Sequence, residues 1–331
     1  MKLKFIVIAT FGALLSVYLI GHIGFTAVFS AVLTIGWGGF AIFCAYALML
    51  FVLLGTAWCV LVSRASFAEL KTFIWSRMVR DSAAELLPFS QVGGFVFGAR
   101  AAVLGGVTPA VAFASTVVDV TTEMMAQIAY VALGLALLAG RAPQTSLTAG
   151  LTRGLIIGLV VVGCTGGIFL LLQVRGTGIT EKLAPHWLPQ TLSHASAFAA
   201  ALEAIHKTPL RVAASMGLHF AGWIVSALST WVALRLIGVP AGVGTIIALE
   251  ALICAMRSVG FAVPSALGVQ EAAYVVLAPL LGLGSGIGLA VSLLRRARDI
   301  AIGVPVLLTW QAMEGRHALA PQAVNGNYLK S

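Results

Sequence analysis

Two groups of charged side chains sit where an apolar sequence should carry none. Asp119 and Glu123 fall midway along one apolar run, and Arg295, Arg296, Arg298 and Asp299 midway along another. A spacing of four puts Asp119 and Glu123 on one helical face, and does the same for Arg295 and Asp299. A charge at the centre of a membrane-spanning helix costs about 2.5–3.5 kcal/mol even on the lenient insertion scale. Both groups should therefore face a protein interior or a wet cavity. One use is structural: Asp119 and Glu123 would pair with Arg295 and Arg296 as a staple between two helices. The other is recognition: the arginine fork suits a phosphate, and fixed carboxylates suit an amine or a proton. Three arginines exceed what Asp299 alone can balance on the same helix, which favours a cavity that accepts a charged headgroup. Arg100, Glu250, Arg257 and Glu271 lie in or beside neighbouring apolar runs and join the candidates. Arg100 and Arg257 could equally snorkel to a membrane interface.

Other chemistries find little support. There is no GxxxxGK[ST] loop for a nucleotide, no HExxH, no GxSxG and no clustered acidic metal motif. The histidines show no ligand spacing. Cys44, Cys59, Cys164 and Cys254 all lie inside apolar runs without a CxxC pair, so buried thiols are expected rather than disulfides or a zinc site. Neither a metal nor a cofactor is expected.

The elements that must position these charges are membrane helices. The chain is 60% hydrophobic and 9% charged, against about 25% charged for an ordinary globular domain. That much apolar surface can be placed only against lipid. The net charge of +9 is spread over the ends of apolar runs and their interiors, which reads as topology rather than nucleic-acid binding. One helix is expected over 5–20 as a retained first span, with Lys2 and Lys4 holding its start in the cytoplasm. An uncharged external loop over 21–36 and a helix over 37–62 would follow. Residues 67–87 are too polar to span and read as a cytoplasmic interfacial helix anchored by Phe73 and Trp75. Residues 88–106 are short, Gly-rich and opened by Pro88, which suits a re-entrant hairpin, with Gly93 and Gly94 allowing a tight turn or close packing. Further helices are expected over 108–138, 154–174 (with Gly154 and Gly158 for close contact), 210–236, 243–263 and 286–310. An amphipathic cytoplasmic helix is expected over 192–205. Pro264 opens a second hairpin-like run that contains Gly268 and Glu271.

Pro88 laid over Pro264, an offset of 264 − 88 = 176, aligns forty residues without a gap. Gly106 falls on Gly282, Asp119 on Arg295 and Glu123 on Asp299. Each half reads as a proline, a short Gly-bearing segment, a glycine break and a long helix with charges midway. The expected fold is an all-α polytopic membrane protein of about 6–8 transmembrane segments with two re-entrant hairpins. It is one integral domain over 1–313, with repeat halves near 67–138 and 243–311 and a polar tail over 314–331. The repeat is inverted if the second hairpin enters from outside, and parallel if 243–263 crosses fully. An inverted repeat in a transporter frames a site near the bilayer midplane.

At these residues the chain resembles a known family. LLPFSQVGGFVFGARAAVLGG with ASTVVDVTTEMMAQIAY, and VPSALGVQEAAYVVLAPLLGL with AVSLLRRARDIAIGVP, are similar to the two halves of the lysylphosphatidylglycerol synthase transmembrane, or flippase-like, family. Pro264, Gly268 and Glu271 in Pro-x-x-x-Gly-x-x-Glu, and Arg295 at mid-helix, are its more specific parts. QVGGFVFGAR most resembles a branch associated with hopanoid biosynthesis. The resemblance implies about eight membrane segments, two re-entrant hairpins and lipid translocation between leaflets. The soluble aminoacyltransferase domain of the multiple peptide resistance factors is missing from this sequence, so aminoacylation is not implied. The expectation is a stand-alone flippase-like protein of the bacterial inner membrane, N-terminus cytoplasmic. It would move a phospholipid, an aminoacylated lipid or a hopanoid, with lipid or hopanoid biosynthesis enzymes and a second copy of the chain as candidate partners. A membrane-embedded lipid-modifying enzyme and a non-transporting scaffold are the alternatives.

Overall fold

The computed structural model of the protein describes residues 25–62, 66–87, 90–139, 150, scattered positions over 153–173, 192–259 and 268–319. The helix expected over 5–20, Pro88 and Pro264 lie outside the described residues. Every element among the described residues is helical. In chain order they are α1 (Phe25–Val62), α2 (Phe67–Leu86), α3 (Ser90–Leu104), α4 (Pro109–Ala139), α5 (Leu192–His206), α6 (Pro209–Leu236), α7 (Val243–Val259), α8 (Val269–Leu280) and α9 (Ser285–Leu319). The described positions over 153–173 are also helical. Among the described residues three helices are long and apolar enough to cross a membrane: Phe29–Val62 of α1, Pro109–Ala139 and Pro209–Leu236. The chain is thus a multi-pass membrane protein.

The offset of 176 residues recurs in the element boundaries. α2 starts at Phe67 and α7 at Val243, and α4 starts at Pro109 and α9 at Ser285, so 243 − 67 = 285 − 109 = 176. The short helices α3 and α8 end alike. Gly106 (φ 98°) and Gly282 (φ 79°) take the left-handed conformation, and Val107 N–H donates to the Ala102 carbonyl as Leu283 N–H does to Ala278. This six-to-one bond is the Schellman stop, which favours glycine because it has no Cβ to clash at positive φ. Helix starts are also specified locally. Ser66 and Glu69 cap α2 reciprocally, and Glu271 reaches back 2.9 Å to the N–H of Gly268 (φ 77°) at the start of α8.

Small residues set the packing. An added Cβ on Gly94 would lie 2.6 Å from the Arg80 carbonyl oxygen, and one on Gly98 2.7 Å from the Arg80 Cβ. α3 therefore lies almost backbone to backbone against α2. The long helix of each half packs on the first helix of the other. Gly134 of α4 abuts Ala251 of α7 and Gln127 donates to Ser258, while Gly303 of α9 abuts Ser82 and Leu86 of α2. In the first contact numbers rise along α4 as they fall along α7, so those two helices run antiparallel. Val306 and Trp310 gather with Val79, which orients α9 against α2 in the same sense.

Several expectations need correcting. Residues 25–35 form the first part of α1 rather than an external loop; an apolar stretch without proline stays helical, and Gly36 (φ 73°, ψ 160°) breaks it. α2 is an interior helix rather than an interfacial one. It buries Phe73, Arg77, Val79 and Arg80, which is possible because carboxylates on α4 meet the arginines. α9 runs on to Leu319, so the expected tail over 314–331 loses its first six residues to the helix, and Glu314 holds Arg100 at 2.8 Å. α7 covers Val243–Val259, and the rest of the helix expected over 243–263 lies outside the described residues. Gly154 and Gly158 have nothing within 4 Å among the described residues, whereas Gly166 abuts Met124 and Met125, so close packing falls at a different glycine. Cys164 is exposed; Cys59 and Cys254 are buried.

Candidate functional site

α2 and α4 build the first charged cluster. Arg77 and Arg80, three residues apart, project from one face of α2 toward Asp119 and Glu123, four apart on α4. Arg77 reaches Asp81 at 2.8 Å, Glu123 at 2.6 and 3.1 Å, and Asp119 at 3.4 Å. Arg80 grips both Asp119 and Glu123, with Phe95 of α3 lying 4.8 Å from its guanidinium. His219 of α6 places Nε2 2.9 Å from the free oxygen of Asp119. Asp119 has no exposed surface and Arg77 almost none.

The second cluster joins α2, α6, α7, α8 and α9. Arg295 holds Glu250 at 2.5 Å, and Thr230 and Tyr274 donate to the other oxygen of Glu250 at 2.8 and 2.5 Å. Arg296 meets Glu271 at 3.0 Å and stands 3.7 Å from Glu85. Glu85 also binds Arg257. Arg298 pairs with its neighbour Asp299 at 2.6 Å and lies over the Phe43 ring. Burying a charge is costly unless it is paired, and removing one partner then costs more than the pair is worth. Such pairing is what keeps these residues tolerable inside an apolar bundle.

Between the clusters lies a cavity of about 480 Å³, within the range of small-molecule sites. Its charged lining is balanced among the described residues: Arg77, Arg80, Arg257, Arg295 and Arg298 against Asp81, Glu85, Glu123, Glu250 and Asp299. The lining also has an apolar part, which includes Leu50, Phe51 and Leu54 of α1. Asp119 and Arg295 each stand ten residues into their helix, about 15 Å from its start.

Of the residues singled out by sequence, Glu123, Glu250, Arg257, Arg295 and Asp299 line this cavity. Asp119 stands behind Arg77 and Arg80. Glu271 caps α8 and holds Arg296, while Arg100 pairs with Glu314, all away from the lining. Gly94 serves helix contact rather than a turn, and Gly93 lies inside α3. The expected staple between Asp119 or Glu123 and Arg295 or Arg296 does not form, because each cluster finds partners on α2, α7 or α8 instead. Sequence reasoning passed over Arg77, Arg80, Asp81, Glu85 and His219 as site residues. The signal was present: Arg77, Asp81 and Glu85 recur every four residues on one face of a helix that also carries Phe73 and Val79.

Fold and site define a polytopic helical membrane protein with a charged cavity inside its bundle. Residues 3–306 match the lysylphosphatidylglycerol synthase TM region, and over nearly its whole length the chain belongs to that family. Membership ties the protein to membrane lipids. No curated protein and no solved structure matches the chain.

Proposed function

We propose that the protein moves a lipid between the leaflets of the inner membrane, taking the headgroup through the charged cavity while the acyl chains stay outside it. The observation that carries this reading is the cavity itself: charges of both signs midway along α4 and α9, in a lining that is otherwise largely apolar. A headgroup entering it exchanges water for fixed charges instead of hydrocarbon.

The element geometry supports an inverted repeat. α2 corresponds to α7 and α4 to α9, yet α7 runs antiparallel to α4 and α9 antiparallel to α2. Opposed halves would offer matching entries from either leaflet. α3 and α8, at 15 and 12 residues, are about 22 and 18 Å long, too short to span. Lys2 and Lys4 favour a cytoplasmic N-terminus. The protein acts as a transporter rather than a catalyst, with lipid or hopanoid biosynthesis enzymes as candidate neighbours. The likeness of QVGGFVFGAR to the hopanoid-associated branch keeps hopanoids in the test beside phospholipids and aminoacylated lipids.

Leaflet exchange of headgroup-labelled lipids in proteoliposomes tests this. Exchange above that of protein-free vesicles is expected for at least one lipid class. No exchange from monodisperse protein, with and without a proton gradient, would overturn it. The mutual saturation of Arg77, Arg80, Asp119 and Glu123 favours a second reading, a non-transporting scaffold held by buried ion pairs, which predicts that null result.

A further inference from the structure

Of the five arginines that line the cavity among the described residues, four are committed. Arg77 engages three carboxylates, Arg80 two, Arg295 Glu250 and Thr230, and Arg298 Asp299 through two nitrogens. Arg257 holds one carboxylate, Glu85, through a single nitrogen. It is also the most open: its side chain is 24% exposed, against 3–12% for the other four. Glu85 has a second cation within reach, since Arg296 stands 3.7 Å from its Oε2, and that buried oxygen accepts no hydrogen bond. Next to Arg257, Ser258 accepts from Gln127 Nε2, which keeps a second N–H to donate. Arg257 and Gln127 both face the cavity.

Resting on the translocation reading, the geometry points to Arg257 as the contact for the cargo's oxyanion, a phosphodiester headgroup, with Glu85 as its resident competitor. The headgroup phosphate displaces Glu85 from Arg257 and takes the spare N–H of Gln127. Glu85 then closes on Arg296, so neither the carboxylate nor the guanidinium is left buried and unpaired. The fork of Arg257 matches two phosphate oxygens at once, and its partner can leave without stranding a charge. No other lining arginine offers both.

The test is lipid binding to purified protein in a neutral detergent, read as thermal stabilisation during titration, so it needs no transport. The probes are phosphatidylglycerol, diacylglycerol with the same chains, and soluble glycerol phosphate. Phosphatidylglycerol should stabilise the wild type and diacylglycerol should not. Stabilisation by glycerol phosphate at similar concentration would assign the site to free phosphate esters and overturn the lipid assignment. Arg257→Gln should weaken phosphatidylglycerol binding about 10-fold or more, the loss of a charge-assisted pair. Glu85→Gln should strengthen it, because the competitor is gone. If Arg257 and Glu85 formed only a structural bridge, both variants would bind equally or both more weakly, and either result overturns the inference. Binding that depends on Arg257 in a protein that moves no lipid would sink the translocation reading and leave this one standing.

Discussion

Arg80→Gln is the sharpest perturbation of the first cluster. Arg80 grips Asp119 and Glu123 and its side chain is 4% exposed. The cluster holds Arg77 and Arg80 against Asp81, Asp119 and Glu123, a balance of 2 − 3 = −1 before His219 is counted. Removing Arg80 takes it to −2 around Asp119, which has no exposed surface. Breaking a buried pair from one side costs about 3–5 kcal/mol. For 331 residues, an unfolding entropy of roughly 2.1 cal/mol/K per residue gives about 0.7 kcal/mol/K, so Tm should fall by about 4–7 °C. The double variant Arg80→Gln with Asp119→Asn restores −1 and should be more stable than Arg80→Gln alone. Thermal denaturation in detergent, read by intrinsic fluorescence, measures all four corners of the cycle. A shift below about 1 °C for Arg80→Gln, or a double variant less stable than that single, would refute the claim that these charges exist to neutralise one another.

Three further outcomes follow from the geometry. Gly98→Leu drives a side chain into the Arg80 Cβ, 2.7 Å from where its own Cβ would stand; a loss of about 1–3 kcal/mol is expected, whereas Gly158→Leu, with nothing within 4 Å of it among the described residues, should stay within about 0.5 kcal/mol in the same melting assay. Arg100→Gln breaks a pair whose side chains are 39% and 21% exposed, so it should cost no more than about 1 kcal/mol and leave leaflet exchange unchanged. Glu250→Gln strands Arg295 and should destabilise by about 3–5 kcal/mol, while Tyr274→Phe removes one donor to the same carboxylate and should cost about 1 kcal/mol in parallel melts.

Much of the architecture was legible because lipid imposes simple rules. Apolar runs long enough to span gave α4 and α6 to within a residue or two at each end. Gly106 over Gly282 located the turn before each long helix, since positive φ leaves a glycine signature. Charges at mid-helix pointed to Asp119, Arg295 and Arg296 as interior groups, and all three are buried. Pairing was not legible. Arg77 and Arg80 follow a span, where the positive-inside rule alone accounts for basic residues, and that hides their neutralisation by α4. Glu271 matches its motif, yet its carboxylate is spent on a helix start and on Arg296. The partner of a buried charge depends on which helices touch, and those contacts are set by small residues such as Gly94, Gly98 and Gly134, whose role appears only once the helices are packed.

Cavity occlusion tests the central claim most directly. Ser226 of α6 lines the cavity and is half-buried; Ser226→Trp fills the space without removing any charge. In proteoliposomes at matched reconstitution, headgroup-labelled lipid should cross with the wild-type protein and fall to the protein-free rate with Ser226→Trp, while the variant keeps its melting temperature. Equal exchange by a well-folded Ser226→Trp protein would mean that the headgroup does not travel through this cavity.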